Sequence, residues 1–156
     1  VKKLIEKYHL PGMRLLLYSF GEDMADNVHS LGNHIKNSVV YTGTHDNNTL
    51  QGWLGGSDGS SGDRSSEIDR ALRYVGHSRG SLQSVHWKFI RVLMMSCANT
   101  VIFPLQDVLG VGSPGRMNIP ATIRANWEWR VKIEELRKRH ALRLSELSSM
   151  YGRMNL

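Results

Sequence analysis

The sequence predicts an α/β chain built from parallel βα units. Short apolar or β-branched runs at 13–20, 38–44 and 100–106 alternate with stretches of helical periodicity. Such alternation argues for parallel strands joined by helical crossovers. Polar, titratable residues collect at the ends of those runs, where parallel α/β folds gather their reactive groups. The composition supports a core: 156 residues, 40% hydrophobic and 22% charged, exclude a collagen-like, mucin-like or disordered chain. Periodicity alone does not separate an open sheet from a closed one.

Taken in order, residues 2–9, KKLIEKYH, read as the end of an amphipathic helix stopped by Pro11-Gly12. Met13 to Phe20, MRLLLYSF, is a continuous apolar run, as expected for a strand buried on both faces. Gly21 to Asn37 is polar and reads as a long loop. Ser38 to Thr44, SVVYTGT, is β-branched and aromatic and reads as the second strand.

The Gly55–Ser66 segment is rich in glycine and serine and is expected to be mobile. Ile68, Leu72 and Val75 share one face of a helix over 66–75. A stronger periodicity predicts a helix over 81–98, through Leu82, Val85, Phe89, Val92 and Leu93. Thr100 to Gln106, TVIFPLQ, is the third strand, with Pro104 marking a bulge or a strand end. A turn-rich loop over 108–120 precedes a final helix from about Thr122 or Trp127 to near Tyr151.

Several function classes drop out. A single cysteine, Cys97, excludes a disulfide framework and a multi-cysteine zinc site, and suits a cytoplasmic or plastid-stromal setting. No apolar run spans a membrane and no signal-peptide pattern opens the sequence. The net charge is +6, with much of the excess between Arg124 and Arg153. Acidic residues interleave with it, as on a solvated helix face, and no nucleic-acid motif accompanies it. No cofactor or metal site follows from the residues. The first residue is Val1 rather than Met, so the sequence reads as a fragment, a processed product or part of a longer chain.

The strand ends hold the chemistry. The second strand leads into His45, Asp46 and Asn47, the third into Gln106 and Asp107, and the first into Ser19 and Phe20. A nucleophilic triad lacks support, because no G-x-S-x-G elbow occurs and Cys97 lies in an apolar helix. His45 and Asp46 alone supply too few ligands for a metal. On pattern alone, Asp46 is either a functional carboxylate or a structural cap.

Longer motifs add a resemblance. NSVVYTGTHDNNTLQGW, from Asn37 to Trp53, resembles the signature of the 4-alpha-glucanotransferases, or amylomaltases. LPGM at Leu10–Met13 with its strand, PLQDVLG from Pro104, Gly112-Ser113, Arg116-Met117-Asn118 and the NWEWR beginning at Asn126 match the same family in order. The sequence departs from the family's PGT and GNW patterns at Pro120-Ala121-Thr122 and Ala125-Asn126. Alanine replaces glycine there, which disfavours a positive φ.

The resemblance implies a (β/α)8 barrel of the α-amylase superfamily, of which this chain would be the C-terminal portion, about strands six to eight. A complete barrel takes roughly 250 residues, so 156 are too few. It also implies transfer of α-1,4-glucan segments to the 4-hydroxyl of an acceptor glucan or glucose, with retained configuration. Asp46 takes the place of the family's transition-state-stabilising carboxylate, and His45 that of its neighbour on the same sugar. Asn118 is expected in the donor pocket, with Asn47 as a further candidate; Gln106 and Asp107 are candidates too, with a loop bond that shapes the rim as their alternative. Phe20 is a candidate for facing acceptor sugars. Trp53 is a candidate sugar platform, with packing as its alternative, and Trp127 and Trp129 are expected to clamp the last helix. The nucleophilic Asp and acid/base Glu have no match and would precede Val1, so the chain alone is expected to be inactive. A retaining hydrolase of the same superfamily and a non-catalytic glucan-binding fragment are the alternatives. No cofactor, nucleic acid or membrane is implied as a partner.

Overall fold

A computed structural model describes residues 2–56, 64–77 and 80–154. Its centre is a parallel sheet of three strands, β1 (Gly12–Leu15), β2 (Ser38–Tyr41) and β3 (Thr100–Ile102), in sequential order. Gly12 to Leu15 pair with Ser38 to Tyr41, and Val39 to Tyr41 pair with Thr100 to Ile102. Among the described residues the outer strands each pair on one side only.

Helices α1 (Lys2–Lys7), α2 (Leu50–Leu54), α3 (Ser65–Tyr74), α4 (His86–Met94), α5 (Leu105–Leu109) and α6 (Lys138–Met150) surround it. None of the described helices is long and apolar enough to cross a membrane. Most of the Gly55–Ser66 segment, namely 57–63, lies outside the described residues; Ser65 and Ser66 begin α3.

Two apolar clusters meet on α4. One joins Leu16, Leu17 and Phe20 to Val40, Leu50, Trp53, Ala71, Phe89 and Leu93. The other joins Trp87, Ile90 and Met94 to Val108 and Leu147. Helix α4 is therefore apolar on both flanks, as a helix sandwiched between layers must be.

The structure corrects several expected boundaries. The run 13–20 is a strand only to Leu15 and then turns into a 3-10 helix, Leu16–Tyr18. Its sheet is packed closely on one face and incompletely on the other, where Leu15 alone is buried among the described strand residues. Val40 is fully buried under the helices, whereas Met13, Val39, Tyr41 and Ile102, which alternation places on the other face, are exposed or half-buried. Helix α4 starts at His86 rather than near residue 81, because Ser84 sits at φ 66°, outside helical space. Pro104 ends the third strand and opens α5, since a missing N–H costs nothing at a helix start.

The largest difference lies between 121 and 137. No long helix forms there; α6 begins only at Lys138. Ala121, Ala125 and Trp127 all adopt positive φ, at 64°, 58° and 64°. Asn126 folds the segment back: its Oδ1 accepts from Ile119 N at 2.8 Å and its Nδ2 donates to Thr122 O at 3.1 Å. Such local bonds compete with the helical ladder.

Candidate functional site

The site grows from the carboxyl end of β2. After Tyr41 the chain runs through 42–49 before α2 begins, and that loop is fastened at several points. Thr42 donates its hydroxyl to Asp107 Oδ2, and Leu50 N donates to Asp107 Oδ1 at 2.7 Å. Both loop ends thus hang on one carboxylate. Thr49 caps α2 by accepting from Gly52 N at 3.0 Å. Asn47 Oδ1 accepts from Thr44 N at 2.8 Å, and its Nδ2 donates to the Tyr18 hydroxyl at 3.0 Å. Asn48 Nδ2 donates to Ser113 Oγ at 2.9 Å.

This bracing leaves His45 and Asp46 at the surface. Their side chains are 52% and 51% exposed, and His45 Nε2 lies 3.3 Å from Asp46 Oδ1. Asn118 Nδ2 donates to the same Oδ1 at 2.6 Å, and Asn118 N donates to His45 O at 3.1 Å. Arg116 donates to Asp46 O and to Asn118 O, each at 2.8 Å. Asp46 Oδ2 has no protein partner among the described residues. The carboxylate is therefore oriented through one oxygen and open through the other. A cleft of about 110 Å³ opens beside it, lined in part by Thr44, His45, Asn47, Gln106 and Met117.

Trp127 completes the rim. Its ring centre lies 4.9 Å from that of His45, its backbone N donates to Met117 O at 2.6 Å, and it is 51% exposed. Sequence reasoning assigned it to clamping the last helix; its positive φ instead turns the ring to His45. Arg116 is the other residue that reasoning missed. Its signal was present, two residues before Asn118 in the same matched motif.

The remaining candidates fall elsewhere. Phe20, expected to face acceptor sugars, is 1% exposed and packs on Trp53, Tyr74 and Phe89 at 5.8–6.0 Å, which places it in the core rather than on the rim of the cleft. Trp53 is 2% exposed in the same cluster, which makes it a packing residue. Gln106 and Asp107 lie on α5 rather than at a strand tip, and both are buried. Gln106 Nε2 donates to Gly115 O at 3.1 Å and shapes the rim. Burial raises the Asp107 carboxyl above its usual value, opposed by its bonds from Thr42 and Leu50. Asn47 is a loop brace whose side chain also lines the cleft.

Among the described residues no group of three or more His, Cys, Asp or Glu side chains is placed to hold a metal. One carboxylate, presented beside an imidazole, an amide and an indole at the carboxyl end of a parallel sheet, suits binding of a hydroxyl-rich ligand on which positive charge develops.

Comparison with known proteins identifies the family. A model of the 4-alpha-glucanotransferase family matches residues 1–136. The chloroplastic/amyloplastic 4-alpha-glucanotransferase DPE1 of Arabidopsis thaliana is 39% identical over 99% of this chain and 26% of its own length. The 4-alpha-glucanotransferase of Synechocystis is 37% identical over 98% of this chain and 29% of its own. The amylomaltase of Streptococcus agalactiae, solved in complex with acarbose, superposes with a TM-score of 0.86 at 27% identity, over 99% of this chain and 30% of that one. The chain therefore spans between a quarter and a third of the length of these relatives. With most of its residues under the family model and whole-chain identity to such relatives, the chain belongs to the 4-alpha-glucanotransferase family.

Proposed function

We propose that this chain forms the donor-sugar side of a 4-alpha-glucanotransferase active site, with Asp46 as the carboxylate that stabilises the transition state. The observation that carries this reading is the half-exposed Asp46 carboxylate, held through Oδ1 by Asn118 with His45 Nε2 at 3.3 Å, while Oδ2 has no protein partner among the described residues. Retaining transfer proceeds by two displacements through oxocarbenium-like transition states. Sugar hydroxyls that donate to Asp46 Oδ2 would hold the donor ring, and the anion would offset the developing positive charge. Because Asp46 is already oriented before substrate arrives, little reorganisation is needed during reaction.

In this reading β1, β2 and β3 are the sixth to eighth strands of a (β/α)8 barrel. Support comes from their sequential parallel order, their unpaired outer edges and the incompletely covered face bearing Met13, Val39 and Ile102. A closed barrel would pair those edges and fill that face with side chains from other strands. The nucleophile and acid/base would come from outside this chain, and the chain alone would not turn over. The substrates would be α-1,4-glucans, in keeping with the acarbose complex of the Streptococcus agalactiae relative.

The test is Asp46→Asn in the full-length protein, assayed with maltotriose. Disproportionation should fall by roughly a hundredfold or more, as when a transition-state charge contact is removed. Near-normal activity would overturn the role. In the unmutated protein, longer glucans among the products support transfer, whereas mainly glucose and maltose would indicate hydrolysis.

A further inference from the structure

Trp53 and Trp87 are buried, at 2% and 5% exposure, and serve the core. Trp127 differs. It is 51% exposed, and its ring centre lies 4.9 Å from that of His45, with the ring planes inclined by 42°. Offset or inclined aromatic pairs at this separation attract one another. An indole left half in solvent, against an imidazole that lines the cleft, contributes little to the core.

The backbone is bent to put it there. Trp127 has φ 64°, in left-handed space where a bulky residue is a genuine outlier. Such backbone persists only where its surroundings over-determine it, and it gathers at functional sites. Both backbone groups of Trp127 are held. Its N donates to Met117 O at 2.6 Å, and its O accepts from Arg130 Nη1 at 2.8 Å. The adjoining Asn118 holds Asp46 Oδ1 and His45 O. Residues 117 and 118 thus fix the carboxylate, the backbone of the imidazole and the indole against one another.

His45 needs a second restraint. Its side chain is 52% exposed, and its Nε2 lies 3.3 Å from Asp46 Oδ1, longer than an ordinary hydrogen bond. An imidazole held at one edge by such a contact can turn among its rotamers. The indole beside it removes that freedom before substrate arrives. We propose that Trp127 is a positioning residue for glucan transfer, holding the His45 imidazole in register with the Asp46 carboxylate, a role that rests on the transition-state function of Asp46.

Steady-state kinetics with maltotriose on the full-length protein tests this through Trp127→Gly, Trp127→Phe and the combination of Trp127→Gly with His45→Gln. Glycine removes the ring and suits left-handed backbone, so the variant should fold, which circular dichroism checks. Should it not fold, Trp127→Leu repeats the measurement with apolar bulk and no aromatic face. In Trp127→Gly, kcat should fall roughly three- to tenfold with KM little changed, and Trp127→Phe should recover most of the loss. On the His45→Gln background the same change should cost less than about twofold, because the ring it positions is gone. Unchanged kcat in the folded variant would overturn the positioning role. So would a loss carried by KM, which would mark direct sugar contact, or a loss that multiplies independently with that of His45→Gln. Near-normal activity of Asp46→Asn overturns the reading of the site itself, whereas its loss beside such independent effects overturns only the role of Trp127.

Discussion

Asn118 donates its side-chain amide to Asp46 Oδ1 at 2.6 Å, although 72 residues separate the two in sequence. The Asn118 backbone also holds the loop, through His45 O. One residue thus fixes both the path of the β2 loop and the direction of its carboxylate.

Asn118→Ala should therefore lower transfer activity of the full-length protein without unfolding it. A hydrogen bond to a charged group contributes about 1.5–3 kcal/mol, which corresponds to roughly a ten- to hundredfold loss in rate. The backbone bond survives the substitution, so the thermal midpoint should change little. Steady-state kinetics beside a melting curve checks both expectations, and unaltered kcat/KM would refute the orienting role.

Ala121 and Ala125 occupy left-handed backbone, at φ 64° and 58°. A Cβ there costs roughly 1–2 kcal/mol relative to unstrained backbone. Replacing each with glycine relieves that strain but adds unfolded-state freedom. Ala121→Gly and Ala125→Gly should each stabilise the protein by about 0.5–1 kcal/mol, read from denaturant midpoints. A fall in midpoint for both would show that the two positions carry no such strain.

Asp107 predicts a pH dependence of stability. Its folded-state pKa is raised by burial above the ordinary carboxylate value. The folded state then binds the proton more tightly than the unfolded state, so stability falls as pH rises from the ordinary value to the raised one. Asp107→Asn keeps an acceptor for Leu50 N and offers an amide donor to Thr42, and it removes the titration. Denaturant titrations across this window should show a decline in the parent protein that is reduced in the variant. Identical profiles would contradict the assignment.

Gly52 sits where α2 passes the rim of the cleft. A Cβ there would lie 2.5 Å from Asn48 Oδ1 and 2.6 Å from Ser113 Oγ. These are the two side chains that tie the loops together. Gly52→Ala should destabilise by about 1–3 kcal/mol, as overpacking does, with the loss visible in thermal melts. A melting temperature at or above that of the parent would rule out this close packing.

Much of the site was legible because its residues are contiguous. His45, Asp46 and Asn47 follow a β-branched run, and a parallel strand delivers its next residues to the reactive end of a sheet. Phe20 was misread for the same reason. A residue after a strand reads as a rim residue, but the 3-10 turn at Leu16–Tyr18 carries the chain into the core before Phe20 is reached. Gln106 and Asp107 were misplaced because Pro104 starts a helix as readily as it ends a strand.

The sequence by itself determined the parallel α/β class and the family resemblance, and it singled out Asp46 as the candidate carboxylate. These rest on local pattern and contiguous motifs, which a linear reading contains. Only the tertiary structure decided that Asn118 and Arg116 hold the Asp46 loop, that Trp127 faces His45, and that Asp107 anchors both ends of that loop. Each of these joins residues far apart in the chain, through side-chain directions set by backbone φ and by packing. Periodicity records which face of an element is apolar, but it carries no record of which distant residue meets that element.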